Sequence, residues 1–218
     1  MSLTDEEQAE HLEVMTAICH AFRKKGLPMV LKGGTALKLC YELDRFSEDL
    51  DFDCAKALNL ETSIKEVFSD LGKAKPHLRN PTLSLKKNTE TVRRYRITYN
   101  GDKNLKLETS LRDAPDEKDL IEKHGILTYK INRLINHKIS ALNGRTAARD
   151  LHDVIYLYEN YFNEFNEDDL KTIQGLYENQ SDILTEYTPA YSEDSILGID
   201  DLLSDFTKFI DLYKKYNP

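Results

Sequence analysis

Lys32-Gly33-Gly34-Thr35-Ala36-Leu37 and, after a short helix, Arg45-Phe46-Ser47-Glu48-Asp49-Leu50-Asp51-Phe52 decide how this chain is read. Met29-Val30-Leu31 ahead of the first stretch is a short apolar run of strand type, and Gly33-Gly34 breaks it before a helix over 35–43. Glycines between a strand and a helix let backbone N–H groups approach an anion closely. The helix start adds the positive end of its dipole, and Thr35 adds a hydroxyl donor. In the second stretch Asp49, Asp51 and Asp53 alternate with Leu50 and Phe52, the pattern of a strand with carboxylates on one face. Asp49 and Asp51 then stand about 7 Å apart, and two such carboxylates repel unless a cation holds them. Hard divalent ions with oxygen ligands suit them, Mg²⁺ above all when phosphate completes the coordination. Glu108 is the third carboxylate this reading brings in, from a neighbouring strand, and Asp113 is its rival. Acids bridging two metals stabilise both attacking and leaving oxygens in an in-line phosphoryl displacement.

Outward from this core the chain divides. Thr4-Asp5-Glu6-Glu7 has the form of a capping box and opens a helix that Gly26-Leu27-Pro28 stops. An amphipathic helix is expected over 59–71, then strands over about 82–87, 91–99 and 104–111, with Asn100-Gly101 as a hairpin turn. In the last strand Leu105, Leu107 and Thr109 face one way, and Lys106, Glu108 and Ser110 the other. From Ile131 helical spacing dominates to Tyr216. The expected fold class is α+β: a small mixed sheet flanked by helices (residues 1–125) followed by a helical C-terminal domain (126–218).

Charge is segregated. The chain of 218 residues carries a net −8, yet residues 73–112 hold eleven Lys/Arg against three acids, and residues 150–218 hold four Lys against sixteen acids. The overall sign argues against a protein that coats nucleic acid non-specifically, whereas the basic middle suits an anionic ligand. No apolar run approaches the length of a membrane span, and the acidic start lacks the pattern of a secretory signal, so the expected location is the cytoplasm, with Cys19, Cys40 and Cys54 as reduced thiols. The glycine stretch is not a Walker A loop, and the histidines have no metal-site spacing. His20, His77, His124, His137 and His152 are therefore expected at the surface or as caps. Most of the twelve tyrosines are expected to pack, with Tyr95 and Tyr99 on the basic strands as candidate base-stacking platforms.

Taken jointly, strand–GGT–helix–D-x-D resembles the polymerase-β-like nucleotidyltransferases. More narrowly, K-G-G-T-A-L followed by R-F-S-E-D-L-D-F resembles the AbiEii/AbiGii toxin family of bacterial abortive-infection and type IV toxin–antitoxin systems. Lys138-Ile139-Ser140-Ala141-Leu142, Arg145 and Arg149-Asp150-Leu151-His152-Asp153 resemble that family's second helix-pair motif. The resemblance implies transfer of a nucleoside monophosphate from an NTP to a hydroxyl of an RNA, such as the tRNA 3′ end, or of a protein. It implies Mg²⁺, or Mn²⁺, as cofactor and a cognate antitoxin as partner. Gly33, Gly34 and Thr35 would cradle the β- and γ-phosphates, with Lys32 alongside. Asp49, Asp51 and Glu108 would hold the metal, Glu108 also aiding deprotonation of the acceptor. Lys138 would contact phosphate, and Arg45 and Ser47 would orient the D-x-D strand or touch the triphosphate. From spacing, Arg149 and Asp153 form a helix-surface ion pair, and Asp150 and Asp153 fix their helix. The alternatives are a catalytically inactive binding protein of the same fold, antitoxin-like, and an adenylyltransferase that modifies an antibiotic.

Overall fold

The computed structural model describes residues 3–217, and their contacts cluster into two compact units: Leu3–Glu42 with Phe46–Lys130, and Leu43–Arg45 with residues 131–217. In the first, α1 (Asp5–Lys24) starts at the Thr4 N-cap, with Thr4 and Glu7 exchanging the two hydrogen bonds of a capping box. Its apolar side (Val14, Met15, Ile18, Cys19, Phe22) is buried. The chain turns at Gly26 with φ +63° into β1 (Met29–Lys32), followed without a loop by α2 (Gly33–Tyr41). Next come β2 (Leu50–Cys54) and α3 (Glu61–Ala74). The remaining strands are β3 (Thr82–Asn88), β4 (Val92–Tyr99), β5 (Lys103–Ser110), β6 (Leu120–Lys123) and β7 (Ile126–Tyr129).

The seven strands form one mixed sheet in the order β3-β4-β5-β2-β1-β7-β6. β2 is antiparallel to β1 and parallel to β5, and β7 is parallel to β1. The three-residue β4–β5 turn has φ +44° at Asn100 and +83° at Gly101, left-handed conformations that Asn and Gly adopt at least cost. A second hairpin, β6–β7 around His124-Gly125, was absent from the sequence reading: Leu120-Ile121-Glu122-Lys123 mixes charged and apolar residues without alternation. Both its strands belong to the sheet-bearing unit. Leu50, Phe52, Leu105 and Leu107 are buried in the core, and this leaves the polar residues between them for the opposite face.

The second unit is helical: α4 (Ile131–Gly144), α5 (Ala148–Asn160), α6 (Glu167–Glu178), α7 (Gln180–Glu193) and α8 (Ile199–Tyr216). Tyr158, Tyr191 and Phe209 fill its interior. Among the described residues no helix is long and apolar enough to cross a membrane, and the three cysteines are buried thiols.

Candidate active site

The sheet register assembles the centre. Asp51 on β2 lies opposite Lys32 on β1 and Glu108 on β5, and Glu108 lies opposite Arg94 on β4. Side chains opposite one another share a face, so Lys32, Asp51, Glu108 and Arg94 form a row across four strands. Gly33 stands at the first position of α2 with φ +73°, and a side chain there would place its Cβ 3.5 Å from Asp51 Oδ2. The positive φ is what favours glycine here; the carboxylate lies only within ordinary contact distance of such a Cβ. The first N–H groups of α2, which have no partners within the helix, therefore begin beside Asp51. Asp49 immediately precedes β2. Asp113 lies beyond the end of β5 and is exposed, so register places Glu108, not Asp113, next to Asp51.

Charges in this row are paired unevenly. Lys106 Nζ contacts Asp49 Oδ2 at 2.5 Å, and Arg94 contacts Glu108 Oε2 at 2.6 Å. Asp53, the third acid of the alternating stretch, is buried and committed to structure: Lys32 donates to it at 2.6 Å and the Tyr129 hydroxyl at 2.9 Å. Partial burial pushes the Asp51 carboxyl above its ordinary value. Asp49 and Glu108 push the same way, against the pull of Lys106 and Lys32. Burial alone would lower the Lys106 ammonium, but its hydrogen bond to Asp49 and the field of all three acids raise it. Three carboxylates on adjacent strands, one of them short of positive charge, are the donor set a hard divalent ion takes. Among the described residues, however, no three acidic, His or Cys side chains are already gathered around one point. Lys106 and Arg94 hold two of the acids in ion pairs.

A layer behind the carboxylates fixes the backbone that carries them. The Thr35 hydroxyl, 1% exposed, donates to the Asp49 carbonyl and lies 2.8 Å from Ser47 Oγ. Both side chains thus tie the start of α2 to the approach to β2, and the role their positions support is orienting Asp49. His11 on α1, which the sequence did not mark, is buried with Nε2 2.8 Å from the Glu48 carbonyl and Nδ1 2.5 Å from the Tyr99 hydroxyl. A carbonyl only accepts, so Nε2 carries the proton and Nδ1 accepts from Tyr99. Burial lowers the His11 pKa and so favours this neutral form. The same contact corrects the reading of Tyr99 as a stacking platform, and Tyr95 likewise is buried, its hydroxyl directed to the Leu58 carbonyl.

Arg45 and Lys138 belong to the helical unit. Arg45 makes a two-pronged bond to Asp153 (Nε–Oδ1 2.6 Å, Nη2–Oδ2 2.7 Å), and Lys138 bridges Asp153 at 2.7 Å and Asp150 at 2.9 Å. Arg145 closes the cluster on Asp150 at 2.7 Å. Burial alone would raise the Asp150 carboxyl, yet Lys138 and Arg145 hold it below the usual carboxylate range. Asp153 therefore pairs with Arg45 and Lys138, not with Arg149 four residues before it; Arg149 reaches Asp194 at 2.9 Å. His152 is not a surface or capping residue: it is buried, with Nδ1 2.8 Å from Asp205 and Nε2 2.8 Å from Asp44. Burial opposes its charge, but the two carboxylates prevail and push its pKa up to about 9.

The family model described as nucleotidyl transferase AbiEii toxin, Type IV TA system, matches residues 16–211. Among solved structures, JHP933 from Helicobacter pylori is similar with TM-score 0.82 and 32% identity, over 98% of this chain and 92% of its own. The nucleotidyltransferase toxin MenT4 from Mycobacterium tuberculosis is similar with TM-score 0.55 and 16% identity, over 97% of this chain and 88% of its own, a likeness of fold. A search of curated proteins gave no match.

Proposed function

The chain belongs to the AbiEii family of nucleotidyl transferase toxins of type IV toxin–antitoxin systems, and on that footing we propose that it moves a nucleoside monophosphate from an NTP to a hydroxyl of an RNA acceptor, using Mg²⁺. The observation that carries this reading is the register of Asp51 and Glu108 beside Gly33, with Asp49 one step before β2. Asp49, Asp51 and Glu108 would hold the cation, which when bound neutralises charge on the triphosphate and on the leaving pyrophosphate. The start of α2, with Gly33 and Gly34, receives phosphate oxygens on its backbone N–H groups. Thr35 and Ser47 keep Asp49 aimed from behind. The acceptor oxygen attacks the α-phosphorus, its bond to the bridging oxygen of the β-phosphate breaks, and pyrophosphate departs. Glu108 takes the acceptor's proton at a carboxylate oxygen.

RNA is favoured over protein as acceptor by Lys86, Lys87, Arg93, Arg94 and Arg96 on β3 and β4, the same strands that continue the row away from the carboxylates. A separate antitoxin opposing the activity follows from the family. The test incubates the protein with each α-labelled NTP, Mg²⁺ and total cellular RNA. Wild type labels RNA, and Asp49→Ala and Asp51→Ala each lower the transfer by at least about 100-fold while their thermal melts stay cooperative. Undiminished labelling by both variants overturns the carboxylate reading, and labelling of protein in place of RNA overturns the acceptor.

A further inference from the structure

Lys106 sits on β5 two residues before Glu108, hence on the same face of the sheet, and its ammonium lies on Asp49. Its charge also bears on Asp51 and Glu108, so it serves all three acids of the centre. Arg94 touches only Glu108 among them. The Lys106–Asp49 pair is open to water, its side chains 39% and 37% exposed, and such a pair exchanges partners at little cost. Lysine's flexible four-carbon stem allows the ammonium to leave without moving the strand. By contrast Lys32, on the same face, is tied to the buried Asp53.

We infer that Lys106 is the resident counter-cation of the carboxylate centre, occupying Asp49 until a divalent ion displaces it. The inference rests on the metal-dependent reading above and adds to it a competition: the protein's own ammonium sets how tightly the centre takes a metal. Removing that ammonium frees Asp49 and removes a repulsive charge from the position a metal must reach. Keeping the charge but changing its shape preserves the competition.

The experiment titrates Mn²⁺ against the full-length protein without nucleotide and follows free Mn²⁺ by electron paramagnetic resonance. Lys106→Met keeps the aliphatic stem and loses the charge, and it binds Mn²⁺ about two- to fivefold more tightly than wild type, the scale of one partly exposed ion pair. Lys106→Arg stays near wild type. Lys65→Met, which removes an equal charge from an exposed position on α3, also stays near wild type. Unchanged or weaker Mn²⁺ binding by Lys106→Met overturns the inference, as does an equal gain in Lys65→Met, the mark of a general charge effect. If neither wild type nor Lys106→Met binds Mn²⁺, the metal-dependent reading falls as well; binding by wild type with no gain in the variant removes the inference alone. Thermal melts accompany each protein, and Lys106→Gln takes the place of Lys106→Met if the latter does not melt cooperatively.

Discussion

The opposite charges clustered around Asp49 and those clustered around Asp150 differ in what surrounds them. Around Asp49, Asp51 and Glu108 the pairs are partly exposed and one acid is left short of positive charge. Around Asp150 and Asp153 each acid is met by the buried Lys138, Asp153 also by the buried Arg45 and Asp150 by the exposed Arg145, and Asp153 is wholly inaccessible. The residue types are the same. Exposure and incomplete pairing make the first cluster able to exchange its cations, whereas burial and full pairing make the second a fixture. Lys138 illustrates the difference: its motif marks it as a phosphate ligand, but its ammonium is committed to Asp150 and Asp153.

The hardest blow to this contrast is aimed at Asp153. Asp153→Ala leaves Arg45 and Lys138 buried without their shared partner, and a loss of about 3–5 kcal/mol in unfolding free energy is expected. Chemical denaturation of the two proteins measures it. A loss within about 0.5 kcal/mol, as for an ordinary surface change, would erase the distinction between the clusters.

A second, smaller effect is a pH dependence of the helical unit, whose buried charges include His152. His152 is held charged by Asp44 and Asp205; Asp205 also accepts from Tyr191 at 3.0 Å, and Lys208 on α8 faces both acids. Its folded pKa of about 9 lies above the unfolded value of about 6.5. The stabilisation is therefore complete below about pH 6.5 and is lost as pH rises through 9, a change of about 3 kcal/mol at most. Melting temperature followed from pH 6 to pH 10 should fall in wild type through this window and stay nearly level in His152→Gln. A wild-type profile as flat as the variant's would mean that the imidazole is not charged in the folded protein.

How much of this was legible in the sequence follows from the range of each interaction. The Gly33-Gly34 turn, the Asp49/Asp51 pair and the hairpin at Asn100-Gly101 are local, set by spacing that any reader of the chain can count. The outward faces of Lys106 and Glu108 came from period-two alternation in the same way. His11 and His152 carried no such signal, because their partners lie 37 and 88, and 53 and 108, residues away. Neighbours four apart suggested Arg149 with Asp153; the fold offered Asp153 the buried guanidinium of Arg45 instead, a bidentate partner that local spacing does not reveal. The β6–β7 hairpin was hidden for another reason: its strands are four residues each, and β6 mixes apolar and charged residues without alternation.

The smallest effect runs in the opposite direction and sharpens the contrast most. Asp51 stands partly buried beside two other carboxylates, and its own charge is disfavoured there. A site arranged for binding a cation stores such repulsion, because the cation is what relieves it. Asp51→Asn keeps the shape of the side chain and removes the charge, so it should raise stability, by as much as about 1 kcal/mol, even as it abolishes transfer. The measurement is a pair of thermal melts, wild type against variant. In the helical unit the equivalent change, Asp150→Asn, strips a partner from Lys138 and Arg145 and must cost stability. Opposite signs for one substitution at two acids are what the contrast requires; a loss of stability at Asp51 would show that this carboxylate, too, is held in place by its neighbours and is not poised for a cation.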